Sequence, residues 1–297
     1  MYKTQPLREA NHLLVALLSG VLLAGAVASA DVVEIGASRD NTLYEESEGM
    51  LSNGSGDHFF VGRNAGNLIR RGLIAFDVAA AISNGSTVNS VTLTLNMSKT
   101  IVGPETIELH PTLADWGEGA SNADGEEGTG AEALPGDATW LHTFFDTDFW
   151  TAEGGDFDAS ASGSTVVDQI GSYTWDSTPS MVADVQSWLD DPSTNFGWVL
   201  TGDESTFPTS KRFDTHENSP ASTHPVLTVE YTTSIECEGD ANGDGTVDPL
   251  DSGFVLARFG CPVGTGDPSC DAADQNGDGA VDPLDSGFVL ARFGECP

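Results

Sequence analysis

The chain has 297 residues, with 46 Asp and Glu against 11 Lys and Arg, and a formal charge of -35 at pH 7. A field of that sign repels phosphate backbones and anionic lipid, which argues against nucleic acid and membrane surfaces as partners. The four cysteines all lie in the last quarter of the chain, the usage of an oxidising compartment, and no Cys and His cluster with zinc spacing occurs.

Residues 1–30 read as an export signal. Lys3 and Arg8 give a positive start, residues 13–27 an apolar core, and Ala28-Ser29-Ala30 the small residues before a cleavage point. The apolar run is too short for a stable membrane span, so the expectation is a secreted or cell-surface protein.

Residues 31–233 contain no cysteine and are long enough for one sandwich-sized core. Val91, Leu93, Leu95 and Met97 alternate with Thr92, Thr94 and Asn96, the pattern of a strand with one buried face. Further strands are expected at 32–35, 58–62, 73–78, 106–109, 197–201, 212–215 and 227–231. One helix stands among them: Thr178 caps it, Pro179 fits its first position, Val182, Val185 and Leu189 form its apolar stripe, and Asp191-Pro192 ends it. Short strands, Gly- and Asn-rich turns and a single helix predict a mainly β fold, an antiparallel jelly-roll sandwich.

Arg71-Gly-Leu-Ile-Ala-Phe-Asp77, Asp115-Trp-Gly-Glu-Gly119, Ala138-Thr-Trp140, Gly154-Gly-Asp156 and Asn195-Phe-Gly-Trp198 occur in the order seen in DNRLRE domains, which this segment resembles. Near the last strands, Arg212-Phe-Asp-Thr-His-Glu217 keeps only the aromatic and the acidic end of that family's signature. The family is similar to carbohydrate-binding modules with a jelly-roll fold, so the resemblance implies binding of a polysaccharide or cell-surface glycan. Trp116, Trp140 and Trp150 flank loops and are the candidate sugar platforms. Lys211 and Arg212, a rare basic pair in so acidic a segment, are the candidate contacts for an anionic sugar. Arg71, whose parity matches Leu73 and Ala75, reads as half of an internal ion pair.

No catalytic constellation emerges. The histidines lack paired spacing, no Gly-x-Ser-x-Gly follows a strand, and Gly154-Gly-Asp-Phe157 lacks the acidic residue a cyclase loop needs. The acidic run 115–132 reads first as a solvated loop and second as a further calcium site. The expectation is a non-catalytic binder, with a polysaccharide-cleaving lyase or hydrolase as the runner-up and a structural surface protein as the third reading.

The tail, residues 236–297, carries one motif twice. Asp240, Asn242, Asp244, Thr246, Asp248 and Asp251 occupy positions one, three, five, seven, nine and twelve of a loop, and Asp274, Asn276, Asp278, Ala280, Asp282 and Asp285 repeat them. That spacing wraps a hard cation in oxygen: side chains serve at most positions, while position seven offers its carbonyl, so Thr246 and Ala280 are interchangeable. Two Ca2+ ions are expected. Both loops run into Ser-Gly-Phe-Val-Leu-Ala-Arg-Phe-Gly. With Asp at position twelve and only an exiting helix per loop, the tail resembles a type I dockerin, a small α-helical module of paired calcium loops. The resemblance implies a cohesin-like protein partner and places the partner-recognition positions at Pro249-Leu250 and Pro283-Leu284. Bridging within one repeat would span a helix of about ten residues, roughly 15 Å, too far for a disulfide. If the loops pack about a pseudo-twofold axis, Cys237 pairs with Cys296 and Cys261 with Cys270.

Overall fold

The computed structural model describes residues 1, 30–233 and 237–294. The export signal expected over 1–30 thus lies almost wholly outside the described residues. The chain divides into compact units, with residues 28–235 in one and the tail from 236 onward in the other.

In chain order the first unit contains β1 (Ala30–Tyr44), β2 (Leu51–Ser52), β3 (His58–Arg63), β4 (Ile69–Phe76), α1 (Val78–Ala81), β5 (Thr87–Thr100), β6 (Glu105–Pro111), β7 (Ala131–Glu132), β8 (His142–Phe144), β9 (Asp148–Phe149), β10 (Gly163–Val167), β11 (Gly171–Trp175), α2 (Pro179–Asp190), β12 (Trp198–Thr201), β13 (Lys211–Asp214) and β14 (Val226–Thr232). All pairings are antiparallel. The first half of β1 pairs with β14, which pairs with β5; β5 also carries β11 and β13, and β13 carries β3. The second half of β1 pairs with β4, and the array continues through β12 and β6 to β10. Strand β3 also pairs with β4, so β1 and β3 each belong to both arrays.

The alternation read along β5 is realised: Val91, Leu93, Leu95 and Met97 are fully buried. They meet Phe59, Phe213, Leu227 and Val229 from neighbouring strands and Ile74, Phe76, Trp198 and Leu200 from the other array, forming the main core. Residues of opposite parity on β4 and β12, namely Leu73, Ala75 and Val199, and Leu43 beyond the β1 irregularity between Ala37 and Arg39, build a second apolar cluster with Trp116, Ala138, Trp140 and Trp150. The segment following β6 thus covers the outer face of that array.

Helix α2 starts where its cap predicts, with Thr178 Oγ1 accepting the Met181 N–H at 3.0 Å. Its buried face is Met181, Val185, Trp188 and Leu189, with Val182 half-buried against the same core, so the expected stripe is present and widened. Thr178→Ala should cost about 1 kcal/mol by orphaning that N–H, a loss read from the denaturation midpoint of tryptophan fluorescence. Strands β10 and β11, which join different arrays, and the short helix α1 are among the elements beyond those expected.

In the tail, α3 (Pro249–Leu256) and α5 (Pro283–Leu290) have the same sequence, and a short α4 (Pro268–Asp271) lies in the connector. The repeats exchange equivalent hydrogen bonds: Gly260 N donates to Val281 O at 2.9 Å, and Gly294 N to Val247 O at 3.0 Å. This is the pseudo-twofold packing the disulfide argument assumed. Cys261 and Cys270 are bridged, with Cα atoms 5.5 Å apart, closing the connector. The expected Cys237 to Cys296 bridge involves Cys296, which lies outside the described residues. Among the described residues no helix is long and apolar enough to cross a membrane.

Candidate functional site

Each tail loop turns its carboxylates inward. Asp240 accepts N–H groups from Gly243 at 2.8 Å, Asp244 at 3.1 Å and Gly245 at 2.8 Å, so the first loop carboxylate is wrapped by the loop's own backbone. Position six must be glycine, because Gly245 and Gly279 sit at φ +86° and +87°, the left-handed region. Asn242 donates to Asp244 at 3.0 Å, bringing positions three and five together, and Asn276 donates likewise to Asp278 at 3.2 Å. Asp274 accepts from Asp278 N and Gly279 N as its counterpart does.

The closing residues Asp251 and Asp285 are fully buried. Asp251 accepts from Asn242 N at 3.0 Å and Asp248 N at 2.8 Å, and Asp285 accepts from Asn276 N and Asp282 N at the same two distances. Asp248 and Asp282 are helix N-caps, accepting the Leu250 and Leu284 N–H groups at 2.6 and 2.7 Å. Position nine therefore spends one oxygen on capping, which suits a role through water. Thr246 and Ala280 are exposed, leaving their carbonyls to serve. An all-oxygen donor set, a left-handed glycine at position six and a buried acid at position twelve fit a calcium ion in each loop.

The family model of the Dockerin type I domain matches residues 238–293. The tail is a type I dockerin module. Dockerins of this type bind calcium and dock to cohesin-type partners, and proteins that carry them are typically extracellular or displayed at the cell surface. No curated protein matches the chain. The DNRLRE resemblance of the β-rich unit has no family match behind it. At the positions that the dockerin resemblance assigns to partner recognition, Leu250 and Leu284 are each 65% exposed, and Leu256 and Leu290 are exposed on the same helices.

In the β-rich unit several sequence candidates are corrected. Trp116, Trp140 and Trp150 are buried, not loop platforms. The Trp116 indole donates to Phe196 O at 2.8 Å and that of Trp150 to Thr139 O at 2.9 Å, while the Arg71 guanidinium lies 5.1 Å over the Trp140 ring. A sugar has no indole face to stack on at these three residues. Lys211 and Arg212 do not form one site, because neighbours on a strand face opposite sides. Lys211 points inward with Phe213, fully buried, and its ammonium donates to Thr100 Oγ1, Val102 O and Gly103 O. Burial holds that ammonium below the usual lysine range.

Arg212 faces outward. Its Nη1 and the Lys99 ammonium both reach Glu126 Oε2 at 2.8 Å. Phe60, Thr100 and Ile101 help these three line a cleft of about 120 Å³. Arg71 makes the expected ion pair, with Nε and Nη2 each 2.8 Å from the Glu204 carboxylate.

The acidic run is solvated at Asp115, Asp124, Glu126 and Glu132, which are exposed as expected, but is anchored at Glu118 and Glu127. Glu127 is buried and accepts from Asp57 N, His58 N and Asn53 Nδ2, and Asp137 takes the N–H groups of Ala120 and Leu134. Glu118 accepts Asp40 N at 2.7 Å. These carboxylates replace water for buried backbone donors.

A titratable cluster that sequence spacing concealed lies beside Glu118. His216 donates Nδ1–H and its backbone N–H to Asp40 Oδ2, both at 3.0 Å, and its Nε2 lies 3.1 Å from Glu217 Oε1. The Asp40 hydrogen bond pushes His216 up to about 9, and burial pushes Glu118 up to about 7. A histidine raised in the folded state contributes stability that is complete below its unfolded value of 6.5 and is lost as pH rises through about 9. Denaturation followed by tryptophan fluorescence should show stability falling across that window, with the slope reduced in His216→Gln; a flat wild-type profile would contradict the assignment.

Proposed function

We propose that the chain is an exported, non-catalytic two-part protein: a calcium-loaded dockerin that attaches it to a cohesin-type partner, and a jelly-roll β-sandwich that binds an acidic polysaccharide. The observation that carries the docking half is the paired loop with its buried closing aspartates, together with the family match over the same residues. Two calcium ions occupy it, held by Asp240, Asn242, Asp244, the Thr246 carbonyl and Asp251 in one loop, and by Asp274, Asn276, Asp278, the Ala280 carbonyl and Asp285 in the other. Asp248 and Asp282 contribute through water while they cap the helices. The ions supply the positive charge that lets four aspartates share each loop. The partner surface is apolar at Leu250 and Leu284.

Support for the glycan half is the cleft at Lys99 and Arg212. Two cations there converge on one carboxylate of Glu126, whose side chain is 70% exposed. A uronate carboxylate offers the same acceptor to the same donors, and Phe60 and Ile101 provide an apolar wall for the ring. The DNRLRE resemblance points to the same ligand class.

The test has two arms. Leu250→Asp with Leu284→Asp should weaken calcium-dependent binding to a cohesin panel by at least about tenfold, about 1.4 kcal/mol. On an array of oligouronates and neutral glycans, wild-type binding should be confined to the acidic members, weaken in salt, and disappear in Lys99→Gln/Arg212→Gln. Binding to neutral glycans alone would sink the acidic reading, and reducing-end release from any polymer would replace the binder with an enzyme.

A further inference from the structure

The Asp40, His216 and Glu217 cluster belongs neither to the dockerin loops nor to the cleft at Arg212. One ligand atom from each of the three residues lies within 4.8 Å of the other two. Three distant or oppositely placed stretches build it: Asp40 lies in the middle of β1, Glu118 in the segment after β6, and His216 and Glu217 directly after β13.

Its internal order is that of a metal site with an outer partner. Asp40 is 1% exposed, and its carboxylate takes the Nδ1–H of His216, which fixes the ring and turns Nε2 away from Asp40. Ligating histidines are held this way, with the far nitrogen donating to a carboxylate. Nε2 then meets Glu217 Oε1 at 3.1 Å, close to the separation of two ligands on one ion when each bond is about 2.0–2.1 Å.

A separate observation concerns Glu217 Oε2. It is screened from solvent and has no hydrogen-bond partner, although a buried carboxylate oxygen without a donor is costly. A cation beside Nε2 that is chelated by both Glu217 oxygens supplies what Oε2 lacks. The side chains of His216 and Glu217 remain 28% and 26% exposed, so an ion has a way in and water completes its shell.

We infer that His216 Nε2 and the Glu217 carboxylate form a site for a borderline divalent ion of the zinc type, with buried Asp40 as the positioning residue behind the histidine. An imidazole ligand separates this site chemically from the all-oxygen dockerin loops, which suit calcium. The ion takes the place of the proton shared between Nε2 and Oε1, so binding releases that proton to solvent.

The full chain is stripped of metal, returned to excess calcium so that the loops are filled, and titrated with Zn2+ by calorimetry and with Co2+ by visible absorption. One zinc or cobalt ion per chain is expected. His216→Gln and Glu217→Gln should each lower its affinity at least tenfold, and Asp40→Asn by about 10- to 100-fold as the outer partner. Asp240→Asn and Asp274→Asn should leave it unchanged. Should the cluster variants fail to fold, a second measurement uses the wild type alone: Zn2+ should shift the ring nitrogen resonances of His216 in the imidazole 1H–15N spectrum. Absence of a zinc ion in excess calcium, wild-type affinity in His216→Gln, or zinc-induced shifts at another histidine with those of His216 unmoved would each overturn the assignment.

Discussion

Chelation of calcium should unfold the dockerin and leave the β-rich unit folded. The described core of the tail consists of Ala241, Val247, Val255, Ala273, Val281 and Val289, all small side chains, and its two principal helices have eight residues each. Helices of that length do not persist alone in water, and a core so short of large residues buries too little surface to hold them. Each loop also gathers four aspartates, one of them fully buried, with no basic side chain paired to the loop among the described residues. Without a divalent ion that charge opposes the compact state. Free calcium at a hundred times the dissociation constant contributes about 2.7 kcal/mol per site. Because all six tryptophans lie between residues 116 and 198, their fluorescence reports the sandwich alone, while far-UV dichroism and proteolysis report the tail. Excess chelator should therefore remove helical signal and expose 237–294 to protease without moving the fluorescence midpoint. Asp251→Ala and Asp285→Ala should each remove one ion with similar effect, since their hydrogen bonds match. An unchanged dichroism spectrum and unchanged protease resistance in chelator would refute the argument.

That the dockerin could be read from sequence while the sandwich's sites could not follows from distance along the chain. Every ligand of a calcium loop lies within twelve residues, the pattern is written twice, and the position-six glycine is required by backbone geometry. Strand β5 was legible for a similar reason, because a period of two over residues 91–97 is a local signal. The zinc-type cluster joins residues 40, 216 and 217 beside residue 118, and the cleft joins 99, 126 and 212, so only the folded register of β1, β5 and β13 brings them together. Lys211 and Arg212 were misread because adjacency along a strand separates side chains to opposite faces. In the 115–132 run the solvated acids were legible, whereas Glu118 and Glu127 accept backbone N–H groups from distant segments, a use that leaves the same composition as a solvated loop. Helix α2 was legible in its cap and in its stripe, because both are local signals; Val182 packs half-buried against the core beside buried Val185 and Leu189, and Met181 and Trp188 widen that face.

Trp116→Ala should act as a core cavity. The side chain is fully buried in the cluster with Leu43, Leu73, Ala138 and Val199, its indole donates to Phe196 O at 2.8 Å, and the Arg39 guanidinium covers its ring at 4.5 Å. Removal empties the space between the outer face of the array and the segment that covers it, leaves the Phe196 carbonyl without its donor, and strips Arg39 of its stacking partner. A large-to-small change of this kind costs about 3–5 kcal/mol. In a domain of roughly 200 residues each kcal/mol shifts the melting temperature by about 2–4 °C, so a fall of about 10 °C is expected. Trp116→Phe keeps the apolar volume but not the donor, and should lose less. Affinity for any glycan, measured well below the variant's melting temperature, should equal that of the wild type, because no sugar reaches this indole. The opposite outcome, wild-type stability with lost glycan binding, would return Trp116 to the surface as a platform and move the binding face from Arg212 to the segment after β6.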